Sequence, residues 1–246
     1  MQIIPAFVTQ NKCYQAGAPL TPRGIMLHSV GTPQPSAAVF ARSFNQYQPG
    51  GVSVCVHAFA QADGTVYQTL PWEMRGWHCG GSANSTHIGV EMTEPSAGMT
   101  RSEAAEQIAG TYRTVVELFA ELCKQYELDP AQDGVIIGHA EGHRRGVASN
   151  HADPELLWRT YDMGYTMNGF RRDVAEAMKN GAREEALDMP RYDSVAEMPQ
   201  WARAGVQRLI GRGVLSGVGN GKLDLSLDMI RTMIVCQRML DEQKET

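Results

Sequence analysis

Short apolar runs bounded by turn-forming residues constrain the fold of this chain more than any other feature of its sequence. The runs are rich in β-branched residues and are flanked by glycine, proline or other turn formers, which is the pattern of buried β-strands. Asp63-Gly64 stands between two of them and predicts a hairpin turn there. The five predicted strands are Gly24 to His28, Val52 to Ala60, Thr65 to Leu70, His87 to Met92 and Val135 to His139.

Helical patterns alternate with these runs. Ser36 to Asn45 has apolar residues at helical spacing behind a serine that can cap the helix, and Thr100 to Tyr126 has a broad apolar stripe. A further helix from Met167 to Asn180 is predicted to end at Gly181. Strands and helices in this order predict an α/β domain, in which a central sheet is covered by helices.

The last part of the chain has a different pattern. Residues 183–192 are charged, contain a proline and are typical of a linker. Beyond them, Val195 to Gly211 and Leu225 to Glu242 have helical patterns, with a glycine-rich segment between them. We therefore predict a main domain over residues 1–182, a linker over 183–192 and a small helical accessory module over 193–246, which is short for an independent domain.

Charge and composition argue against several classes of function. The net charge is −5 at pH 7, whereas a protein that binds nucleic acid by neutralising phosphates needs a clustered basic surface. No apolar run approaches the ~20 residues of a membrane helix, and the first residues lack the features of a secretory signal. The five cysteines include no CxxC pair, which argues against a disulfide framework. We expect no nucleic-acid or membrane partner, and synthesis in the cytoplasm without a signal peptide.

Two histidines end predicted strands. His28 ends one in IMLHSVGT and His139 ends another in VIIGHAEGH, and such tips project into the crevice where α/β sheets bind ligands. Asp153, in NHADPELLW, would complete a His, His, Asp zinc site with one position open for water. The alternatives are that each histidine is a surface or core residue, and that Asp153 caps a helix that starts at the following proline.

His143 is a rival third ligand, because it follows His139 by four residues. The HAEGH string follows a strand and lacks the apolar context of a zincin helix, so a substrate-groove or surface role fits His143 better. Glu91 lies in the apolar run HIGVEM, where strand alternation places it at the cleft as a possible general base. A solvated glutamate on an edge strand is the alternative.

Four ordered motifs resemble those of the type-2 N-acetylmuramoyl-L-alanine amidases, which are relatives of phage endolysins and peptidoglycan recognition proteins. The similarity spans roughly residues 20–175, and four motifs in order are more specific than any one of them. The resemblance implies a central mixed β-sheet flanked by helices, with a zinc amidase domain over residues 1–182. The motifs are MLHSVGT, VHAFAQADGTVYQ, GWHCGGSANSTHIGVEM and GHAEGHRRGVASNHADPELLW.

The resemblance also implies roles for single residues. It places zinc ligands at His28, His139 and Asp153, and it places at Glu91 the glutamate that works with the attacking water. His151 occupies the position at which many members have a lysine that stabilises the oxyanion. A histidine can donate the same hydrogen bond, with a steeper pH dependence.

Other positions of the resemblance concern the substrate groove. Val56 stands where some relatives use a tyrosine, so that role is absent or is met by another residue. Trp77 could equally be a core residue, and Asn84 a turn residue. The positions implied to lie near the substrate are His57, Trp77, His78, Asn84 and His143.

The implied reaction is hydrolysis of the peptidoglycan amide between N-acetylmuramic acid and L-alanine, with Zn²⁺ as the cofactor. A phage or prophage endolysin, acting on the cell wall after release, is the expected role. The C-terminal segment resembles the helical tail of such endolysins, which implies wall binding or a homodimer through its helices. A non-catalytic peptidoglycan-binding protein and a cytosolic amidase that recycles muropeptides are the alternatives.

Overall fold

The computed structural model describes residues 1–46, 54–188 and 191–242. The chain divides into two compact units, Met1–Asn180 and Gly181–Thr246. Within the described ranges, no helix combines the length and the apolar character needed to cross a membrane.

The first unit contains a six-stranded sheet in the order β1-β4-β3-β5-β2-β6. The β3–β4 hairpin is antiparallel and turns at Asp63-Gly64, as predicted, while the other neighbours are parallel. This arrangement confirms the predicted central mixed sheet. The strands are β1 (Gln2–Pro5), β2 (Gly24–Ser29), β3 (Ala58–Ala60), β4 (Thr65–Gln68), β5 (His87–Met92) and β6 (Ile136–Gly138).

Helices pack on this sheet and bury its apolar side chains. The longest of them begins behind a capping box, in which Thr100 and Glu103 satisfy each other's backbone N–H groups. Its apolar stripe includes Val115 and Phe119, which are fully buried in the main core cluster. Burial of each such side chain stabilises the folded state by about 1.5–3 kcal/mol. The helices are α1 (Lys12–Ala16), α2 (Ala37–Phe44), α3 (Arg101–Gln125), α4 (His139–Arg144), α5 (Glu155–Thr160) and α6 (Met167–Asp188).

Several predicted boundaries differ from the structure. The helix expected to end at Gly181 continues to Asp188, so the first residues of the predicted linker are helical; Gly181 does not end it because a helix tolerates a single glycine at a cost of about 1 kcal/mol. The predicted strand Val52 to Ala60 lies partly outside the described residues, and its described part is a strand only over Ala58–Ala60. His139 does not end a strand but begins α4 directly after β6.

The second unit is a small helical module with a two-stranded sheet. Its elements are β7 (Arg191–Tyr192), α7 (Gln200–Gly211), β8 (Leu225–Ser226) and α8 (Leu227–Glu242). The predicted helix from Val195 to Gly211 is interrupted: Val195–Glu197 form a short 3₁₀ helix, and α7 begins only at Gln200, because Pro199 takes the cap position and holds the preceding residue in an extended conformation. The two helices share an apolar cluster with Val206, Ile230 and Ile234 at its centre.

Candidate metal centre

The strand order brings three predicted site residues to one edge of the sheet. β2 lies between β5 and β6, and all three strands are parallel. His28 is in register with Glu91 of β5. Leu27 pairs with Gly138 of β6, so His139 follows next to His28. The carboxyl ends of these strands therefore form the crevice in which α/β sheets bind ligands.

His28, His139 and Asp153 form a compact cluster at this edge. The Nδ1 atoms of the two histidines lie 3.0 Å apart. Oδ2 of Asp153 lies 3.2 Å from Nδ1 of His28, and Oδ1 lies 3.5 Å from Nδ1 of His139. All three candidate ligand atoms lie within 4.8 Å of one another. Residues that are 111 and 125 positions apart in the chain thus meet around one point.

Asp153 is held in this cluster and does not cap a helix. The helix α5 begins at Glu155 with Pro154 in the cap position, and Oδ2 of Asp153 instead accepts a hydrogen bond from the backbone N–H of Ser29. Burial alone would raise the pKa of Asp153, but its close contacts with the rings of His139 and His28 outweigh burial and lower it. The carboxylate is therefore anionic at neutral pH, as a metal ligand must be. The helix-cap alternative for Asp153 is wrong.

Each histidine of the cluster uses its other ring nitrogen for a hydrogen bond to a neighbouring side chain. Nε2 of His28 lies 2.9 Å from Nδ1 of His78. Nε2 of His139 lies 3.3 Å from Oγ of Ser149. Burial lowers the pKa of His28, although Asp153 opposes the shift. Burial also lowers the pKa of His78 well below its ordinary value, and the neighbouring His28 and His57 add to the effect, so His78 is neutral at pH 7.

Glu91 lies beside the cluster without a partner for one of its oxygens. Its Oε2 is buried and has no hydrogen bond within the described part of the chain. Burial raises the pKa of Glu91 well above its ordinary value, and the charges of Asp153 and Glu94 raise it further. A carboxylate in this environment binds a proton more strongly than one in water, which suits a general base.

The cluster lies in a cleft of about 1030 Å³. His151 lines the cleft, and its ring stacks on that of His139 with the centroids 4.5 Å apart. Trp77, His78 and Asn84 also line the cleft. Oδ1 of Asn84 accepts hydrogen bonds from the backbone N–H groups of His78 and Cys79 at 2.9 and 3.0 Å. Asn84 therefore also has the loop-holding role that was its alternative.

Two of the predicted groove residues do not line the described part of the cleft. His57 is completely buried; its Nε2 donates to the carbonyl oxygen of Met74 and its Nδ1 accepts from the N–H of Gly89, and burial lowers its pKa to about 4. The His57 ring joins neighbouring segments of the core, and its proximity to the substrate stays a prediction. His143 is exposed on α4 and is not part of the His28, His139 and Asp153 cluster.

Sequence reasoning missed Ser149 and Glu94. Ser149 lies in an irregular loop and contacts both His139 and the backbone of Cys79. Glu94 lines the cleft and accepts a hydrogen bond from the backbone N–H of Gly31. A loop serine carries no periodic signal. Glu94 follows Glu91 by three residues, and only its closeness to a predicted cleft strand could have indicated it.

The donor set fits a zinc ion. Two imidazole nitrogens and one carboxylate oxygen are ligands that catalytic zinc uses, with a fourth position left for solvent or substrate. In addition, His28 and His139 each have a hydrogen-bond partner on the nitrogen that faces away from the cluster, which is how metal-binding histidines are usually oriented. The residues present therefore match this metal in ligand type, number and support.

A family model described as N-acetylmuramoyl-L-alanine amidase matches residues 18–156, more than half of the chain. This chain belongs to the N-acetylmuramoyl-L-alanine amidase family. The match includes His28, Glu91, His139, His151 and Asp153, so the sequence resemblance to type-2 amidases is confirmed. The comparison with curated proteins found no match.

Solved structures share the fold of the first unit. The catalytic domain of XlyA aligns with a TM-score of 0.53 and 22% identity, over 71% of this chain and 99% of that domain. The hydrolase AmiA of Staphylococcus aureus aligns with a TM-score of 0.57 and 21% identity, over 72% of this chain and 83% of AmiA. A mutant endolysin from Bacillus subtilis aligns with a TM-score of 0.53 and 21% identity, over 71% of this chain and 99% of that protein. At these identities the likeness concerns the fold.

Proposed function

We propose that the first unit hydrolyses the amide between N-acetylmuramic acid and L-alanine in peptidoglycan, with Zn²⁺ held by His28, His139 and Asp153. The observation that carries the proposal is the convergence of these three side chains beside Glu91 in a member of the amidase family. A family protein without a complete ligand set would instead be a binder. Here every position of the set is filled by a competent ligand.

The residues around the cluster have separate tasks in this reaction. When bound, zinc would supply Lewis acidity, which polarises the scissile carbonyl and acidifies a water molecule. Glu91 takes the proton of the attacking water and passes it to the leaving amine of L-alanine, and its raised pKa helps it to hold that proton in between. His151, at the mouth of the cluster, donates a hydrogen bond to the oxyanion of the tetrahedral carbon.

The proposal is tested by zinc content and amine release together. The purified protein is expected to bind one zinc per chain and to release new L-alanyl amino groups from defined muropeptides. Asp153→Ala should lose both zinc and amine release, while His143→Ala is the matched control and should keep both. Peptidoglycan affinity without amine release would identify a binder, and zinc loss only in the His143 variant would overturn the ligand set.

We further propose that the natural substrate is the intact wall, as for an endolysin that is released from the cytoplasm, and that the second unit binds wall or dimerises. The cleft that contains the cluster supports the larger substrate, because its volume of about 1030 Å³ is at the upper end for small-ligand pockets. Purified sacculi and soluble muropeptides should be compared at equal amide concentration. Faster hydrolysis of sacculi is expected, and a strong preference for soluble muropeptides would favour recycling. Sedimentation of the full chain tests for the dimer.

A further inference from the structure

The two metal-facing histidines are each the start of a hydrogen-bond chain that ends on a backbone carbonyl. From His28, the chain runs through His78 to the carbonyl oxygen of His87. From His139, it runs through Ser149 to the carbonyl oxygen of Cys79. A carbonyl oxygen accepts hydrogen bonds and never donates them. The end of each chain therefore determines the direction of every hydrogen bond in it.

In the hydrogen-bond chain from His28, the position of each proton can be deduced by starting at the carbonyl oxygen of His87 and working back to His28. Nε2 of His78 lies 3.1 Å from the carbonyl oxygen of His87, so this nitrogen carries a proton and donates it. An imidazole ring with one proton that donates through Nε2 has no proton on Nδ1, so Nδ1 of His78 can only accept. Nε2 of His28, 2.9 Å away, must then be the donor. His28 is thereby held in the tautomer with a proton on Nε2.

In the chain from His139, a hydroxyl group has the same effect. Oγ of Ser149 lies 3.0 Å from the carbonyl oxygen of Cys79 and donates its single proton there. Its lone pairs are left to accept from Nε2 of His139 at 3.3 Å. His139 thus has the same tautomer as His28. The second chain uses a different residue type and a different loop, so it supports the conclusion independently.

Contacts with neighbouring residues fix the position of the His78 ring. A Cβ atom at Gly89 would lie only 2.5 Å from Cγ of His78, so the ring occupies space that only a glycine leaves open. Asn84 holds the backbone of His78 through the hydrogen bond that its Oδ1 accepts. The ring is therefore placed by packing and by backbone contacts, and not by the hydrogen bond to His28 alone.

We propose that His78 and Ser149 are positioning residues that hold His28 and His139 in the Nε2–H tautomer, so that both rings present Nδ1 to the metal ion. The inference rests on the proposed function, because it deepens the assignment of the zinc site. Two Nδ1 lone pairs facing each other at 3.0 Å beside a carboxylate repel unless a cation lies among them. The arrangement therefore favours binding of a divalent ion before any substrate arrives.

Histidine tautomers can be read directly in the metal-free full chain. Two-bond ¹⁵N–¹H NMR of ¹⁵N-histidine-labelled protein near neutral pH shows which ring nitrogen carries a proton. We expect Nε2–H for His28, His139 and His78 in the wild type. In His78→Ala, the proton of His28 should be distributed between both nitrogens, and the zinc Kd, measured against a chelating dye, should rise about 10- to 100-fold. Ser149→Ala should act on His139 in the same direction.

Two variants separate positioning from a general effect on folding. His78→Asn places an amide oxygen near the position of Nδ1, so it should restore both the Nε2–H signal of His28 and most of the zinc affinity. His87→Asn removes a histidine ring that bonds to Thr86 and Gly134, and it should leave the zinc Kd unchanged. Equal losses in His78→Asn and His78→Ala would overturn the positioning role.

The outcomes also distinguish this inference from the proposed function. A wild-type protein with Nε2 of His28 unprotonated, or a His78→Ala variant with unchanged zinc Kd, overturns the inference even if the protein is an amidase. A wild type that shows the expected tautomers and binds zinc, but releases no amine from muropeptides, contradicts the proposed reaction and leaves the positioning role in place.

Discussion

The β5–β2 strand pair has a histidine at each end, and the two histidines differ in how many of their ring nitrogens are hydrogen-bonded within the fold. At the amino end, His87 bonds Oγ1 of Thr86 with Nδ1 and the carbonyl oxygen of Gly134 with Nε2, so both nitrogens are satisfied within the fold. At the carboxyl end, His28 has a structural partner on Nε2 only, and its Nδ1 faces His139 and Asp153. A histidine with one nitrogen left for a cluster of ligands can bind a metal, whereas a doubly satisfied one stabilises the fold.

The largest effect is expected from removing one histidine at each end of the pair. His28→Ala should abolish zinc binding and amine release, because two ligands remain. His87→Ala should keep zinc but lower the free energy of unfolding by about 1–3 kcal/mol, since it leaves buried polar partners unsatisfied. Elemental analysis and urea unfolding measure the two quantities. Zinc loss in His87→Ala as complete as in His28→Ala would remove the distinction between the two ends.

In the proposed reaction, Glu91 is the proton acceptor at the carboxyl end of the strand pair. Glu91→Gln should retain zinc and lower turnover on muropeptides by about 10²- to 10⁴-fold, the usual contribution of a general base. The measurement is kcat with zinc content determined on the same sample. Turnover within tenfold of the wild type would assign the base to another residue.

A smaller effect is expected at Gly89, which lies between the two ends in β5 and makes room for His78. A methyl group at this position would lie 2.5 Å from Cγ of His78, so Gly89→Ala should displace the ring and weaken zinc binding by roughly tenfold or more. Gly211→Ala is the control, because a Cβ atom there meets no described atom within 4 Å. An unchanged zinc Kd in Gly89→Ala would show that the ring position does not matter.

The smallest effect concerns the stability of the metal-free protein as a function of pH. Burial raises the pKa of Glu91 above its ordinary value of 4.5, so the folded chain binds this proton more tightly than the unfolded chain. Stability is then lost as the pH rises from the unfolded pKa through the folded one, by about 1.4 kcal/mol for each pH unit between these two pKa values. Glu91→Gln should be more stable than the wild type near pH 7 and equally stable near pH 4. Equal stability at both values would contradict the raised pKa.

Much of the fold could be predicted because its patterns are local. The run His87 to Met92 and the helix after Thr100 have the predicted bounds to within a residue, since a buried strand and a capped amphipathic helix are each encoded by neighbouring residues. The end of α6 could not be predicted in this way. Gly181 permits a helix end but does not require one, and the helix continues to Asp188.

The candidate site could be predicted only in part. His28, His139 and Asp153 were found because strand ends and matched motifs indicated them, and the structure brings them together. The burial of His57 could not be predicted, because a motif position says nothing about burial, and in the fold both of its nitrogens bond to the backbone. Ser149 was missed because its role depends on a contact with a residue ten positions earlier.

The sequence by itself determined the kind of chain this is: an α/β domain with four ordered motifs, a net charge of −5 and the residue types of a zinc site. Only the tertiary structure decided which nitrogens face the cluster, that Asp153 is a cluster carboxylate and not a helix cap, and that His78 and Ser149 stand behind the two histidines. The physical reason is that residue identity is a local property. The convergence of side chains, in contrast, is a property of the fold, which brings His28 to His139 and Asp153 although they are 111 and 125 positions away in the chain.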